Sequence, residues 1–181
     1  MAISRNISFF AGFTVLLSGV LGFPSKSVAD PAEIFAPLIE NMPEKLPSGT
    51  SLRLPAYFPT SSTKLYPYFV SDDKGFRVNI TIKPDCQIPS CKTGVVGAVG
   101  ILNETDSWPP TAEMVSLISL TPEISAYHLT WGKDEAKSHN IVWQQDGQIY
   151  GIGALDFAVS ISDLVAIAKS MTNEQPIFSS R

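Results

Sequence analysis

Two hydrophobic rhythms run through this chain and divide it into strands and helices. From Phe76 to Lys83 apolar and polar residues alternate. A period of two describes a strand buried on one side, so Phe76, Val78, Ile80 and Ile82 are expected inward. Arg77, Asn79, Thr81 and Lys83 are expected outward. With Lys64–Val70 before it, this run predicts a hairpin turning through Ser71-Asp72-Asp73-Lys74-Gly75. Thr93–Leu102, Met114–Leu120 and Ile124–Trp131 read as further strands, the last two divided by Thr121-Pro122-Glu123, and a short strand is expected around Ser51–Leu54.

The stretch Ile141–Met171 carries the clearest local signals. Asp146-Gly147 lies between two apolar runs, and both central residues of a type I′ turn need positive φ. That turn would pair Gln145 with Gln148, Trp143 with Tyr150 and Ile141 with Ile152. Ser160, with Asp163 three residues on, fits a capping box, and the acid suits the positive end of a helix. Ile161, Leu164, Val165, Ala168 and Met171 then follow at helical spacing, with Lys169 expected in the last turn. A helix this short needs a surface to lie on, and the aromatic face of the hairpin is the nearest one. At the other end, Asp30–Asn41 predicts a second helix: Asp30 caps, Pro31 takes the first position, and Pro43 stops it.

Residues 1–29 read as a secretory leader. Arg5 supplies the basic start, Ile7–Phe23 is apolar and uncharged, and Ser27-Val28-Ala29 offers small residues for cleavage. The apolar run is short for a membrane span and ends at Pro24. The expectation is an exported protein, periplasmic or extracellular, that starts near Asp30 and keeps no membrane segment. Residues 30–181 suffice for one domain with a core of its own. Of 13 basic residues, Arg5 and Lys26 fall in the leader, leaving 11 against 17 acids and a net charge of −6. An acidic chain without a basic cluster argues against nucleic acid and anionic lipid as partners.

Candidate chemistry is sparse. Cys86 and Cys91 are the only cysteines, and in an exported protein such a pair reads as a disulfide closing a small loop. The competing readings are a redox pair, which usually uses Cys-x-x-Cys, and half a metal site, which would need two more ligands. Trp143 and Tyr150, adjacent across the hairpin, form either core or a candidate stacking face for a ligand. His128, Asp134, Glu135 and His139 are the only group resembling ligand or catalytic chemistry, and their spacing matches no zinc signature. There is no Gly-x-Ser-x-Gly elbow. Gly94-x-x-Gly97-x-x-Gly100 lacks the Lys-Ser/Thr ending of a phosphate loop and suits a close-packed strand. No catalytic residue, metal or cofactor is therefore expected.

Three motifs carry a resemblance: Leu52-Arg53-Leu54-Pro55-Ala56-Tyr57-Phe58-Pro59; Pro84-Asp85-Cys86 with Cys91-Lys92-Thr93-Gly94; and Ile141–Tyr150 running into Leu164–Ser170. With these the chain resembles exported bacterial domains of unknown function, many of them cyanobacterial. Its tail is similar to extracytoplasmic unknown-function domains with a curved sheet, distantly like lipoprotein-carrier folds. The resemblance implies a fold and no activity.

The expected architecture is α+β: a twisted antiparallel sheet of about six to eight strands, covered by an N-terminal and a C-terminal helix. The expected function is a non-enzymatic binding or interaction module whose partner is an unknown protein. The alternative is a carrier holding a small apolar ligand, such as a lipid, in a half-open barrel.

Overall fold

A computed structural model describes residues 30–59, 64–72, 75–84, 95–102, 108, 114–134, 137–156 and 158–178. Its centre is a seven-stranded antiparallel sheet: β2 (Tyr66–Asp72), β3 (Gly75–Thr81), β4 (Val95–Leu102), β5 (Met114–Ser119), β6 (Ser125–Trp131), β7 (Ser138–Gln145) and β8 (Gln148–Leu155). The spatial order is β2-β3-β4-β8-β7-β6-β5. The final hairpin therefore sits mid-sheet, while β2 and β5 form the two edges. A separate two-stranded sheet pairs β1 (Ser51–Leu52) with β9 (Ile177–Phe178), and it ties the ends of the domain together.

The β7–β8 hairpin has the register that Asp146-Gly147 dictates, with Trp143 opposite Tyr150 and Ile141 opposite Ile152. Asp146 (φ 53°) and Gly147 (φ 77°) both take the positive φ that such a turn requires. The β2–β3 hairpin is tighter than its sequence implies, since pairing continues to Asp72 opposite Gly75. Phe76, Val78 and Ile80 are buried, but Ile82 is 41% exposed and Thr81 is buried instead. The alternation breaks because the register against β4 shifts between Ile80 and Thr81, where β3 ends. The Thr81 hydroxyl is within hydrogen-bond reach of the Tyr66 and Lys83 carbonyls, at 3.2 and 2.8 Å, so its burial leaves no polar group unpaired.

Helix α3 (Ile161–Asn173) begins at Ser160, whose Oγ accepts from the Asp163 N–H (3.1 Å) and donates to the Asp163 carboxylate (2.7 Å). Its buried stripe is Leu164, Ile167, Ala168, Met171 and Thr172. Ile161 stays exposed. Lys169 falls short of the last turn because the helix continues to Asn173. The helix lies against β7 and β8.

The N-terminal stretch is three short pieces in place of the one helix its stripe implies. A 3-10 turn at Glu33–Phe35 leads into α1 (Ala36–Ile39) and then α2 (Met42–Lys45). Pro37 and Pro43 each occupy the first turn of a new segment, where a missing N–H costs nothing, and each denies a bond to a continuous helix. Phe35 and Met42 are nonetheless fully buried in one cluster with Trp143, Tyr150, Ile167 and Met171.

Sheet register assigns the faces. Phe76, Val78, Ile80, Ile141, Trp143, Tyr150 and Ile152 share the packed face. The opposite, open face carries Tyr66, Tyr68, Tyr127, Leu129, Trp131, Val115 and Leu117.

Candidate functional site

Trp143 and Tyr150 stack at 5.8 Å between ring centroids and are both fully buried, so neither ring meets solvent. Their polar atoms are satisfied inside: Trp143 Nε1 donates to Gln145 Oε1 (3.2 Å), and Tyr150 Oη lies 3.1 Å from Gln148 Oε1 and 3.0 Å from Ser51 Oγ. Cys86, Cys91 and Glu135 lie outside the described residues. Asp134 sits in a turn with φ 50°.

The two histidines come together. In the β6–β7 register Thr130 lies opposite His139 and His128 opposite Ile141, which puts both imidazoles on the packed face. His128 Nε2 is 2.9 Å from His139 Nδ1, and His139 Nε2 is 2.9 Å from Asp156 Oδ1. Thr130 Oγ1 and Ser116 Oγ approach the two rings more loosely, each at 3.4 Å, Thr130 at His139 Nδ1 and Ser116 at His128 Nδ1. Lys137 Nζ stands 3.6 Å from the other Asp156 oxygen.

A carboxylate only accepts, so His139 Nε2 carries hydrogen and donates to Asp156. His139 Nδ1 is then placed to accept from His128 Nε2–H, which leaves His128 Nδ1 to accept from Ser116. His139 is 2% exposed, and Asp156 is its link to solvent. Burial holds His128 below the ordinary imidazole range, and charge on His139 and Lys137 adds to this. The His139 bond holds the Asp156 carboxyl below its usual value, against a small opposing effect of burial and with help from Lys137.

This row of donors and acceptors orders four side chains, Ser116, His128, His139 and Asp156. As a nucleophile–base pair, Ser116 and His128 are long at 3.4 Å. Among the described residues no group of three or more His, Cys, Asp or Glu is arranged to hold a metal ion. Asp156 was invisible to sequence reasoning because it follows β8 and reaches His139 only through the β7–β8 register.

A second polar centre surrounds Arg53. Its side chain is buried, pairs through Nη2 with Asp146 Oδ2 (2.6 Å) and donates through Nη1 to the Glu174 carbonyl. The guanidinium also stands 6.0 Å from the Tyr150 ring centre. It thus bolts the hairpin turn to the end of α3. Burial raises the Glu174 carboxyl above its usual value, with Asp30 adding to this and Arg53 opposing it.

Two clefts flank the sheet. One, of about 760 Å³, lies between the N-terminal segment and β2 and is lined by Ile34, Pro37, Tyr57, Phe58, Tyr66 and Pro67 among others. The other, of about 520 Å³, lies beside the hairpin turn at Ser51, Gln148 and Phe178.

The largest departure from ordinary surface chemistry is at the β5 end. Leu117 is 66% and Met114 61% exposed, and Val115, Trp131 and Trp108 are exposed as well. On the open face Val115 pairs with Leu129 and Leu117 with Tyr127, while Trp108 meets the Tyr127 ring edge-on at 5.3 Å. Val115, Leu117, Tyr127, Leu129, Trp131 and Trp108 thus form an apolar and aromatic patch, while Met114 is exposed on the other face of β5. Contiguous patches of this kind mark contact surfaces more often than single exposed side chains do.

Comparison of the chain with protein-family models, with curated proteins and with solved structures finds no match.

Proposed function

We propose that this chain is an exported, non-enzymatic binding module that engages its partner through the open face of the sheet at the β5–β6 end. The observation carrying this reading is the patch of Val115, Leu117, Trp131, Trp108 and Tyr127. Aromatic side chains there offer large contact area at little loss of conformational freedom. The leader at residues 1–29, the two chain ends covering the packed face and a Cys86–Cys91 clip belong to the same reading.

The carrier alternative has less support. Phe35, Met42, Leu164, Ile167 and Met171 fill the packed face beneath the sheet, where a sheltered ligand would otherwise lie. It predicts a co-purifying apolar molecule, recoverable by organic extraction and native mass spectrometry.

The test places a photoreactive amino acid at position 117 or, as a control, at Lys169 on the exposed side of α3, in protein made and exported in its own cells. Adducts concentrated at 117 are expected. Equal yields at both positions, or none at 117, would overturn the reading. Intact mass of the same protein should begin near Asp30 and lack two hydrogens.

A further inference from the structure

We propose that the partner of β5 is a second copy of this chain, and that two molecules join edge to edge across β5 into one continuous antiparallel sheet. The inference rests on the binding-module reading and names the occupant of the β5 edge that borders its patch.

The two edges of the sheet are built differently. β2 carries Pro67 within it, and Lys64 and Lys45 lie over the Tyr66 and Phe69 rings. Proline and lysine are the usual means of keeping an edge strand from recruiting another. β5 has neither: from Met114 to Pro122 there is no charged residue, and Pro122 lies in the turn beyond the strand. Among the described residues β5 pairs on one side only, with β6. The other side is a row of backbone donors and acceptors beneath exposed apolar side chains.

Pattern and charge identify the occupant. In a two-fold antiparallel pair, opposed residues share a face, and the axis must pass through a residue position. Centred on Ser116, the strand sets Ser116 against Ser116, Val115 against Leu117 and Met114 against Ile118. The open-face residues Val115 and Leu117 thus meet each other, and so do the packed-face residues Met114 and Ile118. Every apolar side chain of the strand finds an apolar partner, and the hydroxyls meet at the axis. Without the leader the chain carries a net charge of −6 (11 basic against 17 acidic residues), so two copies repel over most of their surface. β5 is a stretch on which they meet without opposing like charges.

A six-residue edge is a small interface, so association should be reversible and concentration-dependent. Sedimentation of the exported protein, over a concentration series, should show a monomer passing to a dimer. Leu117→Lys puts a charge on the exposed edge and should weaken association by about tenfold or more while leaving the melt unchanged. Ser116→Cys should trap the dimer under oxidation, since opposed residues have Cα atoms about 4.5–5.5 Å apart. Leu117→Cys should not, because in this register residue 117 of each copy lies about 7–8 Å from the other.

A protein that stays monomeric at its highest soluble concentration, with Ser116→Cys uncrosslinked, overturns the proposal. So does a dimer indifferent to Leu117→Lys, or one trapped at 117 in place of 116. Adducts from position 117 that have the mass of a different protein would keep the binding-module reading and overturn self-pairing. An absence of adducts would remove both.

Discussion

His139 donates from Nε2 to Asp156 across 2.9 Å, and this bond fixes which nitrogen faces His128. Because His139 Nδ1 accepts, His128 must give the hydrogen on its Nε2. Burial, with His139 and Lys137 close by, disfavours charge on His128. The folded protein therefore takes up a proton at His128 less readily than the unfolded chain does.

Stability should fall as pH drops through the histidine range. His128 titrates lower in the folded state than its ordinary value of 6.5. Its contribution is fully present above that value and is lost as pH falls below it, because the unfolded chain then binds more protons. Asp156 pushes the same way at lower pH, its stabilisation vanishing as pH falls through its depressed folded value. Melting temperature should decrease between about pH 7 and pH 5, and His128→Gln should flatten that decline. An unchanged slope in the variant would contradict the proton ordering.

Arg53 should matter far more than the acid it pairs with. Arg53→Met removes a buried cation and two charge-assisted bonds, with an expected loss of about 2–3 kcal/mol. That corresponds to a fall of roughly 5–10 °C in melting temperature. Asp146 is 62% exposed, and asparagine also tolerates positive φ, so Asp146→Asn should cost less than about 1 kcal/mol. Equal losses from the two variants, read by urea unfolding, would contradict this assignment.

Two glycines of the sheet should respond differently to alanine. At Gly100 a Cβ would sit 2.4 Å from the Phe76 carbonyl oxygen and 2.6 Å from Arg77 Cα, both backbone atoms. The strands must part there, so Gly100→Ala should destabilise by about 1–3 kcal/mol or more. At Gly153 the obstacle is the Asn140 side-chain oxygen at 2.1 Å, which can rotate away, so the cost should stay below about 1 kcal/mol. Denaturant midpoints of the two variants would rank them.

Ser160→Ala should remove the start of α3. Loss of an N-cap hydroxyl costs about 1 kcal/mol, equivalent to about 2–4 °C in a domain of this size. Because α3 packs against β7 and β8, the whole transition should shift as one cooperative step. A separate early melting of helix, seen by circular dichroism, would show that the helix is not part of the core.

Legibility in the sequence followed the range of the interactions. Asp146-Gly147 and Ser160/Asp163 act over two to three residues, and the turn, the register and the cap were all readable from them. The break at Thr81 depends on β4, and Pro37 and Pro43 acted as starts of short helices in a stretch whose apolar spacing implied one. The exposure of Ile161 and the burial of Ile167 follow from where the helix meets β7 and β8, which its own stripe does not specify. Asp156 joins His139 by sheet register alone, and β9 had no local signal beyond two apolar residues.

The pairing of Ser51–Leu52 with Ile177–Phe178, reinforced by Arg53 at the Glu174 carbonyl, joins segments more than a hundred residues apart in sequence. Synthesis from the N-terminus supplies β1 long before β9, so this clasp can form only once residues 177–178 have been made.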